Sequence, residues 1–103
     1  MLTRHASSTG SFEWDSQKDA ANRKKHGICF EDAVAVFEDE RAMLVFDAAH
    51  SEVEDKFRII GRLRGPLVAI VVFTERGSTT RIISARLANK YEVQLYEGRS
   101  FRH

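Results

Sequence analysis

The sequence predicts a small α+β domain: an antiparallel meander sheet, two N-terminal helices and one C-terminal helix. Leu67 to Phe73 is an unbroken apolar run rich in β-branched residues. It is too short for a membrane span and suits a strand covered on both faces, or nearly so. The chain then turns polar at Thr74 to Ser78 and resumes as Thr79 to Arg86. An antiparallel hairpin follows, with Gly77 able to take the positive φ that a tight connection needs. Strand patterns succeed one another after Arg41, whereas helical spacing is confined to the segment before it and the segment after Arg86. The predicted order is β-α-α-β-β-β-β-α, with the helices on one sheet face and the other partly open.

Each element has its own signal. Residues 1–11, MLTRHASSTGS, offer little to bury and read as a flexible N-terminal arm. Phe12-Glu13-Trp14 alternates apolar, polar, apolar, which suits a short strand at a sheet edge. Asp15 or Ser16 can cap a helix over 16–26 that Gly27 stops, and the basic end Arg23-Lys24-Lys25-His26 suits the carbonyl end of its dipole. Phe30, Ala33, Val34 and Phe37 recur at helical spacing and mark a second helix over 31–38. Met43 to Phe46 reads as a strand and Asp47 to Asp55 as an acidic loop. In the strand Phe57 to Leu63, alternation places Phe57, Ile59, Gly61 and Leu63 on one face and Arg58, Ile60 and Arg62 on the other. Arg64-Gly65-Pro66 is a turn. Strict alternation over 79–86 separates Arg81, Ile83 and Ala85 from Ile82, Ser84 and Arg86. Asn89 and Glu92 have capping-box spacing, and Gly98 breaks the last helical run. One domain thus spans 12–98, followed by a short tail over 99–103.

Composition narrows the functional classes. The chain has 103 residues, 43% of them apolar and 30% charged, which fits one folded domain with a modest core. A net charge of +1 from 16 basic and 15 acidic residues makes no statement about nucleic acid. The distribution says more: Lys56, Arg58, Arg62 and Arg64 lie in a segment without an acid, compatible with a basic groove. The single cysteine, Cys29, excludes an intrachain disulfide and reads as a small core thiol in a reducing compartment. No signal peptide is evident and the longest apolar run is less than half a membrane span, so a cytoplasmic protein is expected, with no membrane partner.

The chemistry-bearing residues point away from metals and cofactors. There is no cysteine pair, HExxH, P-loop or dinucleotide glycine pattern, and His5, His26, His50 and His103 do not cluster. Ser84 lacks a nucleophile elbow and a matching triad. The set Lys24, Lys25, Arg58, Arg62, Arg76, Arg81 and Arg86, with Glu75 and His26, contains what metal-free RNA cleavage requires. That is a base for the ribose 2′-hydroxyl, an acid for the departing 5′ oxygen, and cations for the phosphorane-like transition state. Arginine matches phosphate oxygens bidentately. Surface ion pairs and solubility account for many of the same charges, and His26 serves equally as a helix-end residue. Trp14 and Tyr96 suit either base stacking or packing. Whichever arginine of the last strand stands beside core residues needs an acid, a shallow site or an anionic ligand.

Several blocks recur in a known order: Phe12-Glu13-Trp14-Asp15, Lys18, Asn22, Lys25-His26-Gly27, Phe30-Glu31-Asp32-Ala33, Arg58, Ile60-Gly61-Arg62, Phe73-Thr74-Glu75-Arg76-Gly77 and Arg81-Ile82-Ile83-Ser84-Ala85-Arg86. Over about Phe12 to Glu97 the chain resembles the BrnT family, the ribonuclease toxins of BrnT/BrnA toxin–antitoxin pairs. The resemblance implies a compact RelE-like fold, RNA cleavage that inhibits translation, and no cofactor. It also implies a cognate BrnA-like ribbon-helix-helix antitoxin, with two toxins around an antitoxin dimer and operator DNA contacted through the antitoxin. Catalytic roles carry over to Arg62, Glu75, Arg81 and Arg86, and to Lys25 and His26; Lys24, Arg58 and Arg76 are expected to bind RNA. Acid and base are not separated. Two features depart from the family: Phe73 where tyrosine is common, and Leu87 and Val93 where a basic residue is common. The alternative they leave open is a catalytically attenuated member that acts as an antitoxin-binding or regulatory module.

Overall fold

The computed structural model describes residues 1–46 and 55–100. The elements are β1 (Leu2–Ser7), β2 (Gly10–Asp15), α1 (Ser16–His26), α2 (Phe30–Phe37), β3 (Met43–Phe46), β4 (Phe57–Arg64), β5 (Leu67–Arg76), β6 (Thr79–Leu87) and α3 (Lys90–Ser100). They form one six-stranded sheet in the order β1-β2-β6-β5-β4-β3. The expected acidic loop lies, over residues 47–54, outside the described residues, as does the tail end 101–103.

β3 to β6 run as the antiparallel meander that the sequence predicts. The sheet as a whole is mixed, because β2 pairs parallel with β6. After β2 the two helices carry the chain to the far edge of the sheet, and the meander works back until its last strand lies beside β2. Alternation within a strand says nothing about such a neighbour.

The first residues also differ from the expected arm. Leu2–Ser7 is a strand paired antiparallel with β2, from Leu2 opposite Asp15 to Ser7 opposite Gly10. Most side chains of β1 are exposed, so the strand is held by its backbone ladder and carries no burial pattern for sequence reading to find.

The helix ends follow their local chemistry. Asp15 Oδ1 accepts the Gln17 N–H at 2.8 Å, and Gly27, at φ 73°, closes α1 by donating to Arg23 O at 2.9 Å. α2 begins one residue earlier than its apolar pattern suggests, because Asp19 of α1 accepts the Phe30 N–H at 2.9 Å. α3 has the reciprocal capping box, with the Asn89 and Glu92 backbone N–H groups each 2.8 Å from the other's side chain. It continues through Gly98 to Ser100, past the expected stop. A glycine lowers helix propensity by only about 1 kcal/mol, too little to end a capped helix by itself.

α1 and α2 cover one face of the sheet. Phe30, Ala33, Val34 and Val36 pack on Phe12, Trp14, Ile59, Leu63, Val71, Phe73, Ile82 and Ala85. Phe73 stands between Phe37, edge-on at 5.0 Å, and Phe57, stacked at 5.6 Å. A Cβ on Gly61 would lie 3.1 Å from both Val36 Cγ1 and Val36 O, so α2 lies directly on β4. On the other face α3 covers one end only, where Tyr96 packs with Ile60 and Ile70.

β6 does not alternate strictly. Val72 pairs with Ser84 but Phe73 pairs with Ile82, leaving Ile83 as an extra residue in a β-bulge. Ile82 and Ala85 therefore both face the helices, and Arg81, Ser84 and Arg86 share the opposite face. The expected division of Arg81 from Arg86 is corrected by this one residue.

Candidate nucleic-acid interface

The sheet face opposite α1 and α2 is organised in rungs. Arg86, Ile70, Ile60 and Met43 form one; Ser84, Val72, Arg58 and Val45 form the next. A third runs Arg4, Glu13, Arg81, Thr74 across β1, β2, β6 and β5. Arg58, Arg81, Ser84 and Arg86 are all half-buried. They form a polar floor beside the patch that α3 covers.

Two of the arginines have the acids that their position demands. Glu13 Oε2 accepts from Arg81 Nε at 2.7 Å and forms an ion pair with Nη2 at 2.5 Å. Glu92 accepts from Arg86 through two parallel bonds, Nη1 to Oε1 and Nη2 to Oε2, each 2.8 Å. In each pair the acid is the more buried partner: side-chain exposure is 10% for Glu13 against 29% for Arg81, and 13% for Glu92 against 38% for Arg86. The guanidinium is thus the group that solvent or a ligand meets. Arg86's hydrogen bonds hold the Glu92 carboxyl below its ordinary value against the opposing effect of burial, and those bonds push Arg86 itself up.

A further carboxylate ties α3 to the sheet. Asp39 Oδ2 accepts the Tyr96 hydroxyl at 2.6 Å and the Arg62 N–H at 2.8 Å, and Oδ1 accepts the Arg41 N–H at 3.0 Å. Burial raises the Asp39 pKa, but these bonds outweigh it and leave the carboxyl below its ordinary value. Tyr96 moves the other way, pushed up by burial and by its bond to Asp39.

The residues expected at the site are only partly brought together. Arg58, Arg81 and Arg86 share the open face. Arg62 lies on the same side at the α3 end, exposed, with its backbone fixed by Asp39. Arg76 lies at the β5–β6 turn, opposite Thr79. Glu75 alternates toward the helix side at that same turn, exposed, with Thr80 Oγ1 3.4 Å from its Oε1. Lys24, Lys25 and His26 lie on the last turn of α1, and among the described residues the side chains of Lys25 and His26 make no hydrogen bond or ion pair. That turn is pinned to the edge of β6 by Asn22. The Asn22 amide bonds Ala85 O at 2.8 Å and Ile28 O at 2.9 Å, and its oxygen accepts the Ala85 N–H at 3.1 Å. Among the described residues no three His, Cys, Asp or Glu side chains form a group that could hold a metal ion.

Sequence reading missed Glu13, Glu92 and Thr74. A signal existed for the first: alternation with Phe12 and Trp14 turns Glu13 away from the helices. Glu92 was legible as a capping residue but not as the partner of Arg86. Thr74, 1% exposed, has a buried hydroxyl with no hydrogen-bond partner among the described residues, which no local pattern foretells.

Comparison with known proteins agrees with this architecture. A family model described as the ribonuclease toxin BrnT of type II toxin–antitoxin systems matches residues 14–92. Among solved structures, the chain is similar to the Brucella abortus ribonuclease toxin BrnT, with 29% identity and a TM-score of 0.60 over 75% of this chain and 94% of that one. No curated protein sequence matches. With most of its length matched by the family model and the same α+β architecture as a solved member, the chain belongs to the BrnT family of type II toxin–antitoxin ribonuclease toxins.

Proposed function

We propose that this protein is an active endoribonuclease that cleaves RNA without a metal ion. The observation that carries the reading is the gathering of Arg58, Arg81 and Arg86 on one partly open sheet face, two of them held by carboxylates more buried than themselves. Planar guanidiniums held in place suit a phosphodiester better than a cation. The ribose 2′ oxygen attacks the adjacent phosphorus and loses its proton to a base. The bond from phosphorus to the 5′ oxygen breaks, and that oxygen takes a proton from an acid, leaving a 2′,3′-cyclic phosphate and a 5′-hydroxyl. Arg81 and Arg86, whose backbones lie about 13 Å apart along the strand, offset the charge of the phosphorane and of the phosphate beside it, Arg58 and Arg62 hold flanking phosphate, and Lys24, Lys25 and Arg76 extend the basic rim. Proton transfer falls to groups at that rim, with Glu75 and His26 the side chains to test.

The same reading makes translation its target, a RelE-like toxin its fold type and the cytoplasm its place. Its partner is a ribbon-helix-helix antitoxin, bound as two toxins around an antitoxin dimer that carries the operator-DNA contact. Occupation of the basic face by that partner would exclude RNA. Phe73 gives no support to an attenuated protein: its ring is buried between Phe37 and Phe57, on the helix side, away from the arginines. The purified protein should cleave single-stranded RNA in excess chelator and leave cyclic phosphate ends. Cleavage lost in chelator and restored by one divalent ion would overturn the mechanism; absence of cleavage under all conditions would overturn the activity.

A further inference from the structure

The β1–β2 hairpin stands apart from the rest of the domain. The family match begins at residue 14, so β1 and the first four of β2's six residues precede it. The Brucella toxin is used over 94% of its length while a quarter of this chain is left without a counterpart. Yet the hairpin is continuous with the basic face. Arg4 is opposite Glu13 in the β1–β2 ladder, Glu13 is beside Arg81 in the β2–β6 ladder, and Arg81 is opposite Thr74. Four strands therefore contribute one rung. Strand spacing puts the backbones of Arg4 and Arg81 about 10 Å apart.

Along the hairpin side of that rung runs a groove of about 340 Å³, lined by Arg4, Ala6, Ser11, Glu13 and Thr79 among others. Ala6 and Ser11 are opposite one another, so two small side chains leave the floor open. Glu13 is bonded to Arg81, whereas Arg4 has no hydrogen bond or ion pair among the described residues. The outer end of the rung thus carries an uncompensated positive charge. The inner end carries the buried hydroxyl of Thr74, which has no hydrogen-bond partner among the described residues. A charged rim, small hydroxyl side chains and continuity with a row of arginines suit a sugar–phosphate backbone lying across the strands.

We infer that the β1–β2 hairpin adds a further phosphate-binding subsite, centred on Arg4, which holds a phosphodiester of single-stranded RNA flanking those at Arg81 and Arg86. This rests on the ribonuclease reading and deepens it, because it makes the hairpin a determinant of substrate length.

The test uses the full chain and two RNAs that share one cleavage site, a short oligonucleotide and one extended at both ends. 2′-O-methylated versions report binding without cleavage. Arg4→Ala and Arg4→Glu are compared with the wild type and with Lys18→Ala, an equal charge change on α1. Wild type should favour the longer RNA. Arg4→Ala should shrink that preference and lower the salt slope for the longer RNA by about 0.7, the value for one lost phosphate contact on a single strand. Arg4→Glu should abolish the preference, and Lys18→Ala should keep it. If the Arg4 variants keep the wild-type slope and preference while Arg81→Ala loses cleavage, the subsite is wrong and the ribonuclease reading stands. If they weaken antitoxin affinity and leave RNA binding unchanged, the hairpin is a protein contact and the inference falls. If the wild type neither binds nor cleaves RNA, the proposed function fails and takes the subsite with it.

Discussion

Arg81 and Arg86 stand on the same face of β6 although an odd number of positions separates them. The extra residue at Ile83 restores their parity, so two guanidiniums that a regular strand would place on opposite faces can address one ligand. Each is backed by a more buried acid, Glu13 or Glu92, from a different element.

Loss of either arginine should therefore act on chemistry. Arg81→Ala and Arg86→Ala should each lower single-turnover RNA cleavage by about 10²-fold or more, the usual scale for a group that stabilises transition-state charge. Alanine at 81 strands the Glu13 carboxylate, so the Glu13→Gln/Arg81→Ala double variant separates lost chemistry from lost folding. Near-normal cleavage in a folded double variant would remove Arg81 from the site. Glu75→Ala should fall by a similar factor if Glu75 transfers a proton. Wild-type cleavage would limit it to the hairpin end, where its nearest polar partner is Thr80.

Asn22 substitutes for a missing strand. β2 pairs with β6 only as far as Arg81, and beyond it the Asn22 side chain satisfies both backbone groups of Ala85. Asn22→Ala leaves those two groups and Ile28 O unpaired in the interior and should cost about 3 kcal/mol. Urea denaturation checks this through its midpoint. Asn22→Asp should be no better, because a carboxylate would meet two carbonyl oxygens. A midpoint within error of wild type would refute the clamp.

Gly61→Ala tests the contact of α2 with β4. The added methyl meets Val36 Cγ1, Val36 O and Ala42 Cβ between 3.1 and 3.2 Å, so helix and strand must separate by a few tenths of an ångström. A loss of about 1–3 kcal/mol is expected from such overpacking. An unchanged melting temperature would show that α2 yields freely there.

Acid should loosen α3 before the rest of the sheet. Asp39 and Glu92 both hold that helix, and both carboxyls lie below their ordinary values of 3.8 and 4.5. Depressed carboxylates contribute stability that is fully present above the ordinary values and is lost as pH falls through the lowered, folded-state ones. Amide exchange in α3 should accelerate relative to β5 as pH falls below about 4, after correction for intrinsic exchange. Glu92→Gln and Tyr96→Phe should flatten that dependence. A pH-independent α3 would refute it.

Much of this architecture is legible in the residues. Asp15, Gly27 and the Asn89–Glu92 box mark helix ends because they act within one turn of chain. Phe57, Ile59, Gly61 and Leu63 sort correctly from Arg58, Ile60 and Arg62 because β4 alternates regularly through them. What stayed hidden depends on partners distant in sequence. The bulge at Ile83 exists only against β5, the parallel neighbour of β6 lies at the other end of the chain, and β1 is held by a backbone ladder that leaves no hydrophobic trace. The candidate site divides the same way. The arginines are visible as residue types, but Glu13 as the partner of Arg81 follows only from the β2–β6 pairing. Glu75 and His26 are visible too, and only the fold shows that Glu75 alternates toward the helix side at the β5–β6 turn and that His26 ends α1, both away from the arginine floor.

The parallel pairing of β2 with β6 also sets an order of assembly. β2 is made before β3, β4 and β5, and its neighbour β6 is made after all of them. Until β6 has emerged, Arg81 and Glu13 cannot meet, and the rung from Arg4 to Thr74 does not exist. A nascent chain can build the α1–α2 unit and the β3–β4–β5 hairpins while its basic face is still unmade. For a protein proposed to attack RNA in the cell that is translating it, the long reach of that strand pair delays assembly of the site until β3, β4 and β5 have been made and β6 has followed them.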